Sequence, residues 1–223
     1  MHLDFLSQVS GGSAGTSHVH VLVLQILRWT HFFFGIAWIG HLYYFNFVQG
    51  AAEKALDGPM KKIVVPNFRG RAMWWFRWGA MLTFLTGLTY IVYQEFIASD
   101  RHFSGWLSFD AGGAGPSNAW ILFGGLLGTI MWFNVWFVIW PRQKLILGGM
   151  AAGTPHPDAA KLAAAAGKAS RFNTYVSGPM LFAMIVPNNY SGWTHAGIGL
   201  TFILGLGFWF GLIKRSFKVK TTV

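Results

Sequence analysis

Five stretches of about twenty residues, nearly free of charge and separated by basic connections, constrain this chain more than any other feature. About twenty apolar residues form a helix long enough to cross the ~30 Å hydrocarbon core of a bilayer. The stretches fall at about 21–49, 78–98, 119–140, 173–190 and 194–213. The first starts at either Val21 or Trp29, and the fourth is apolar mainly over 175–186. Helix is the state expected, because an unpaired backbone is costly in lipid and the runs lack the alternation of barrel strands. Composition agrees: 11% of the 223 residues are charged, against the ~25% usual in soluble domains.

A formal charge of +10 would suit a nucleic-acid binder, but its distribution points elsewhere. Lys54, Lys61, Lys62, Arg69, Arg71 and Arg77 lie between the first two stretches. Arg142, Lys144, Lys161, Lys168 and Arg171 lie between the third and fourth, and Lys214, Arg215, Lys218 and Lys220 follow the fifth. Of the 17 Lys and Arg residues, only Arg28 and Arg101 fall elsewhere. Basic residues collect in cytoplasmic connections, and only an odd number of spans puts these three regions on one side. The expectation is an all-α membrane protein, a bundle of about five transmembrane helices with its amino terminus outside and its carboxyl terminus cytoplasmic. Residues 1–20 then form a periplasmic tail, 21–214 the membrane domain and 215–223 a basic cytoplasmic tail. No nucleic-acid partner is expected; the charge reports orientation.

Residues 1–17 are Gly/Ser-rich, with no basic segment before an apolar run, and do not read as a cleaved signal. Residues 110–117 read as a flexible loop, and the Ala-rich 158–168 as a short cytoplasmic helix capped by Asp158. Trp29, Trp74, Trp75, Trp78, Trp106, Trp120, Trp140 and Trp193 fall near span ends, as in an interfacial aromatic belt. Gly124-x3-Gly128 and Gly207-x3-Gly211 permit close helix approach, and Gly178-Pro179 is expected to kink the fourth span and free carbonyls there. Packing is the favoured account of all three. The chain has no Cys, hence no disulfide, thiolate site or covalent haem c attachment. Walker, HExxH, GxSxG and dinucleotide motifs are absent, as are paired intramembrane carboxylates and an Arg ladder.

Ionisable residues inside a membrane are functional candidates. His31 and His41 share the first span, ~80° apart in azimuth and ~15 Å apart along the axis, too far to bind one metal together. His31, Gly35, Trp38, Leu42 and Phe45 form one stripe; a Gly beneath a His leaves room for a flat group such as b-type haem. The second axial ligand would be His195, which opens the fifth span at a matching depth if the first span starts near Trp29. Arg28 would then pair with a haem propionate or with Glu95. If the first span starts at Val21, that pairing fails and His18 and His20 become the candidates for His195, as a surface metal site. The plain alternatives are a helix-to-helix hydrogen bond for His31 or His41 and an interfacial role for His195. His2, His102 and His156 read as solvated loop residues, and Asn134 as a polar helix contact.

Several stretches resemble the bacterial membrane-bound urate oxidase amino-terminal family. They are His31-Phe-Phe-Phe-Gly-Ile-Ala-Trp-Ile-Gly-His41 and its continuation to Gln49, Ala72-Met-Trp-Trp-Phe-Arg-Trp78, Trp132-Phe-Asn-Val-Trp-Phe-Val-Ile-Trp140, and Arg171-Phe-Asn-Thr-Tyr-Val-Ser-Gly-Pro179. The resemblance runs in order from about Leu27 to Tyr190. It implies a multi-span domain of the bacterial inner membrane, elsewhere commonly followed by a cytochrome c domain, and a role in urate oxidation by electron transfer. This chain ends soon after the fifth span and, lacking Cys, does not carry the cytochrome part. Phe172 and Asn189 stand where the family tends to show His, so two polar candidates are missing while His31 and His41 remain. The resulting expectation is a membrane subunit of an electron-transfer assembly that holds or shields a b-type haem or similar pigment. Its site residues would be His31, His41, His195, Arg28, Gly35 and Trp38, with His31 and His195 as metal ligands, and its partners lipid and other membrane subunits or a cytochrome c. Two alternatives stand beside it: a urate-oxidising subunit passing electrons to a separate cytochrome c, and a structural accessory subunit of a respiratory or photosynthetic complex.

Overall fold

A computed structural model describes residues 18–96, 117–189 and 195–219; the side chains at 95–96, 117–119, 187–189 and 195 are outside that description. Within it the chain is helical, with no strand among the described residues. Eight α-helices are arranged as five rods. The first joins α1 (His18–Tyr43) to α2 (Gly50–Ala55) through a π-helical turn, Tyr44–Gln49. The second joins α3 (Gly58–Val64) to α4 (Gly70–Phe96) through a π turn at Val65–Arg69. The third joins α5 (Ser117–Phe133) to α6 (Trp140–Ala151) through another, Asn134–Ile139. The fourth and fifth are α7 (Ala159–Asn189) and α8 (His195–Ser216).

Successive rods run antiparallel. His20 meets Tyr93 and Phe45 meets Phe76 across the first pair; Phe84 stacks on Trp132 and Trp78 meets Trp136 across the second and third. Asn134 bonds Asn173 between the third and fourth, and Phe182 meets Phe202 between the fourth and fifth. This up-and-down order brings the turns at 56–57 and 152–158 and the end of α8 to one end of the bundle. All fourteen described basic residues expected in the three basic regions lie on the parts of the rods leading to that end.

Among the described residues three segments are long and apolar enough to cross a membrane: His18–Ala55, Trp120–Ala151 and Ala196–Ser216. The sequence reading had five spans, the fourth apolar mainly over 175–186. The second and fourth rods have the length, 27 residues in α4 and 31 in α7, but not the hydropathy. The reason is their position: they pack on neighbours along two sides, and α7 buries Asn173, Thr174 and Ser177 completely. The core joins residues of four rods, among them Trp38, Leu42, Phe76, Met131, Val135 and Met180. Outward faces are apolar, with Ile36 and Phe208 each 74% exposed.

Several boundaries differ from expectation. The Ala-rich 158–168 is not a separate helix but the first turns of α7, whose uninterrupted 31 residues outrun the expected 173–190. Ala is the best helix former, so nothing stops propagation. Asp158 contributes its backbone carbonyl to Leu162 N–H at 2.9 Å, while its own N–H goes to His156 Nδ1 at 3.1 Å. A side-chain cap does occur at Asp57, whose Oδ1 accepts from Met60 N–H at 2.8 Å. The loop expected at 110–117 lies outside the described residues except for Ser117, which opens α5.

Candidate functional site

A row of titratable side chains lies along the seam between α1 and α4. One face of α4 carries Thr83, Thr86, Gly87, Tyr90 and Tyr93, spaced three or four apart so that they stack along the helix. Opposite them on α1 stand Gly35, His31, Arg28 and His20. At the end of the seam farthest from the basic turns, His20 Nδ1 shares a 2.5 Å hydrogen bond with Tyr93 Oη. Further in, Arg28 donates to Tyr90 Oη at 2.5 Å, its guanidinium 5.4 Å from the centre of the Tyr90 ring.

His31 lies deeper. Its Nδ1 is 2.9 Å from the Thr83 carbonyl, with Thr86 Oγ1 at 3.4 Å. A carbonyl only accepts, so the proton of that bond sits on Nδ1 and the neutral ring keeps its lone pair on Nε2. No partner for Nε2 occurs among the described residues. The ring is seated on Gly87: a Cβ there would lie 2.9 Å from His31 Cε1. The notch thus belongs to α4 and is filled by the imidazole.

The expected slot beside Gly35 is closed. A Cβ on Gly35 would meet Thr83 Cγ2 at 3.9 Å, ordinary contact, so α4 occupies the space allotted to a flat cofactor. Trp38, at 2% exposure, is a core residue rather than a cofactor wall; Gly79 approaches so closely that a Cβ would lie 3.0 Å from the Trp38 backbone N. The stripe of Gly and aromatics that suggested a haem slot is the packing surface for α4. His41 turns to its own helix, Nδ1 on the Ala37 carbonyl at 2.6 Å, and not to a neighbouring one. His195 opens α8 on the backbone, but its side chain is outside the described residues, as is that of Glu95. Helix α1 already starts at His18, so the polar outer end of the seam lies at His20 and not at Trp29. Among the described residues no three His, Asp or Glu side chains group as a metal site.

A second polar group, neutral throughout, surrounds α7. Asn134 Nδ2 donates to Asn173 Oδ1, and Asn173 Nδ2 to the Met131 carbonyl, each at 2.9 Å. The helix-contact reading of Asn134 therefore holds. Tyr43 shares a 2.9 Å bond with Ser177, and Asn46 donates to Ser170 at 2.8 Å. Pro179 has no N–H and so frees the carbonyl four residues back; that carbonyl, on Tyr175, accepts Trp209 Nε1–H at 3.2 Å. The stripe Ser170, Asn173, Thr174, Ser177 was visible in the sequence at helical spacing, as was Thr83, Thr86, Tyr90, Tyr93. Neither contains a motif, which is why the sequence reading passed over them.

Clefts lie elsewhere on the bundle. One, about 220 Å³, is apolar and lined by Gly178, Phe182, Phe202 and Trp209 between α7 and α8. Another, about 560 Å³, lies against the 152–158 turn beside Lys144 and His156. Neither includes His31.

No curated protein and no solved structure matches the chain. The family described as urate oxidase N-terminal matches residues 106–222, which take in the third, fourth and fifth rods and more than half of the sequence. That match reaches further toward the carboxyl end than the motif resemblance, which stopped near Tyr190, and begins later than its start near Leu27. By that match, the chain belongs to the urate oxidase N-terminal family.

Proposed function

We propose that this chain is an integral membrane subunit of an oxidoreductase assembly in a bacterial inner membrane, spanning the bilayer five times with its amino terminus outside. The observation that carries this reading is the antiparallel order of the rods, which gathers fourteen basic residues at one end and leaves only Arg28 among described basic residues toward the other. Basic residues mark the cytoplasmic side, and the apolar exteriors of α1, α5 and α8 suit lipid. The redox setting rests on family membership. On this reading 1–20 is periplasmic, 21–214 the membrane domain and 215–223 cytoplasmic.

The lack of native Cys makes the topology directly testable. Single substitutions Lys62→Cys, Thr154→Cys and Ser216→Cys should react with a membrane-impermeant maleimide only after permeabilisation, and His18→Cys in intact cells. Labelling of Lys62→Cys in intact cells would reject the orientation.

For a b-type haem the fit is divided. The donor chemistry of His31 suits an axial ligand, since metal-bound His commonly gives its other N–H to a carbonyl. Gly35 and Trp38 do not supply the slot, because α4 fills it. His31 would hold a haem through Nε2, with Gly35 and Trp38 taking no part, and the haem would supply one-electron chemistry. The detergent-purified assembly should show a Soret band that His31→Ala removes. Absence of that band sinks the haem reading and leaves the membrane-subunit reading standing; an unchanged band in His31→Ala assigns the haem elsewhere.

A further inference from the structure

We infer that the tip of the hairpin joining the first two rods is a docking surface for an acidic protein partner, an inference that rests on the membrane orientation above. Trp136 Nε1 donates to the Arg77 carbonyl at 3.1 Å, and the Arg77 guanidinium lies 3.7 Å over the Trp140 ring. Together with Trp74 and Trp78 these residues mark the inner edge of the apolar bundle. From that level α6 ends at Ala151, about level with the π turn at Val65–Arg69, so α2 and α3 project about 10 Å further at ~1.5 Å per residue. Lys62 lies about 22 Å beyond Arg77 by the same rise. A head-group layer adds only ~5–8 Å per leaflet, and charges are screened over ~8–10 Å. The tip thus stands clear of the lipid surface and of its field.

Two properties of the tip call for a partner. Met60 is 50%, Ile63 67% and Phe68 65% exposed, at spacings of three and then five residues, the second crossing the π turn. Met60 and Ile63, three apart on α3, lie side by side on its surface, and contiguous exposed apolar side chains mark interaction sites. The tip also carries a net positive charge, Lys54, Lys61, Lys62 and Arg69 against Glu53 and Asp57. Glu53 is held by Arg69 and by Gln49 Nε2, and Asp57 is engaged in capping α3. Lys54, Lys61 and Lys62 have no ion pair among the described residues. A surface with apolar teeth flanked by unpaired lysines complements an acidic surface with an apolar recess. A second copy of this chain is disfavoured, since it would bring the same positive charge to the contact.

The test places a photoreactive amino acid at Ile63 of the full chain, in native membranes, and identifies the adducts by mass. The expected adduct is a protein joined through a segment rich in Asp and Glu, with its yield falling by about tenfold or more in Lys61→Glu/Lys62→Glu, as like-charge contacts require. Lys214→Glu/Arg215→Glu, on α8 and outside the 56–64 tip, should leave the yield unchanged. An acidic amphipathic peptide of Glu and Leu, added to the detergent-purified chain, should bind and be released by salt. Adducts with lipid, with a second copy or with no molecule overturn the inference, as does a protein adduct that survives the charge reversal. Failure of the topology labelling, by contrast, strikes the membrane orientation first and is read from different variants.

Discussion

The two polar regions of the bundle differ in chemistry and in how completely they are satisfied. Around α7 the groups are neutral amides and hydroxyls; Asn173, Thr174 and Ser177 are fully buried, and each finds a partner on its own or a neighbouring helix. Along the α1–α4 seam the groups are His20, Arg28, His31, Tyr90 and Tyr93, all less buried, and His31 Nε2 has no partner among the described residues. A neutral pair costs little to bury once bonded, whereas an ionisable group stays expensive. The first arrangement fits a structural joint. The second retains chemistry at a cost, which is why the functional reading is attached to it.

If the α7 region is the joint, crowding it should produce the largest loss of stability. A Cβ on Gly178 would lie 2.5 Å from Cδ1 and Nε1 of the Trp209 indole. That ring cannot simply step aside, because its N–H is bonded to the carbonyl released by Pro179 and its face meets Tyr43 at 5.6 Å. Gly178→Ala should cost about 2–3 kcal/mol, in the range of overpacked cores. In a thermal unfolding scan in detergent the midpoint should fall by about 5 °C or more. A midpoint unchanged in Gly178→Ala would mean that α7 and α8 are not a fixed joint.

The Asn134–Asn173 pair offers a gentler test of the same claim. Asn173→Ala leaves both Asn134 and the Met131 carbonyl without their partner. Interhelical hydrogen bonds in membrane proteins are worth roughly 0.6–1.7 kcal/mol, so a loss of about 1–2 kcal/mol is expected. In the double-mutant cycle with Asn134→Ala the two losses should be less than additive. Strict additivity would show that the two amides do not act as a pair.

The contrast between these regions explains what the sequence disclosed. Helix, rod number and the one-sided placement of Lys and Arg are properties of composition and period, and both are legible along a chain. Gly124 was expected to permit close approach, and it does: a Cβ there would sit 3.1 Å from that of Ala183. The site was less legible because a Gly beside a His at helical spacing describes two situations equally well. Either the notch faces a cofactor or it faces another helix, and only the register of α4 decides. Gly35 meets Thr83, while the notch that receives the imidazole is Gly87, on a different rod and 56 positions away in the sequence. Arg77 shows the same limit. It was counted with the basic connection, and only the fold shows it inside α4, stacked on Trp140.

A smaller effect is expected where the seam itself is crowded. Gly87→Ala places a methyl 2.9 Å from His31 Cε1, but the partly buried imidazole can swing away at the cost of its bond to Thr83. The loss should be about 1 kcal/mol. Adding His31→Ala should recover part of that loss, because the clash disappears with the ring. No recovery would place the clash elsewhere and break the assignment of the notch to His31.

The smallest effect is expected on the outer face of α8, and it bounds the comparison from the other side. Gly207-x3-Gly211 has the same spacing as Gly124-x3-Gly128, yet a Cβ on Gly207 or Gly211 meets nothing within 4 Å. Spacing alone therefore does not identify a packing surface; contact does. Gly207→Ala should change stability by no more than about 0.5 kcal/mol, any gain coming from the higher helix propensity of Ala. A large loss in the purified chain would show that this face is engaged by another helix, and would direct the search for a neighbouring subunit to α8.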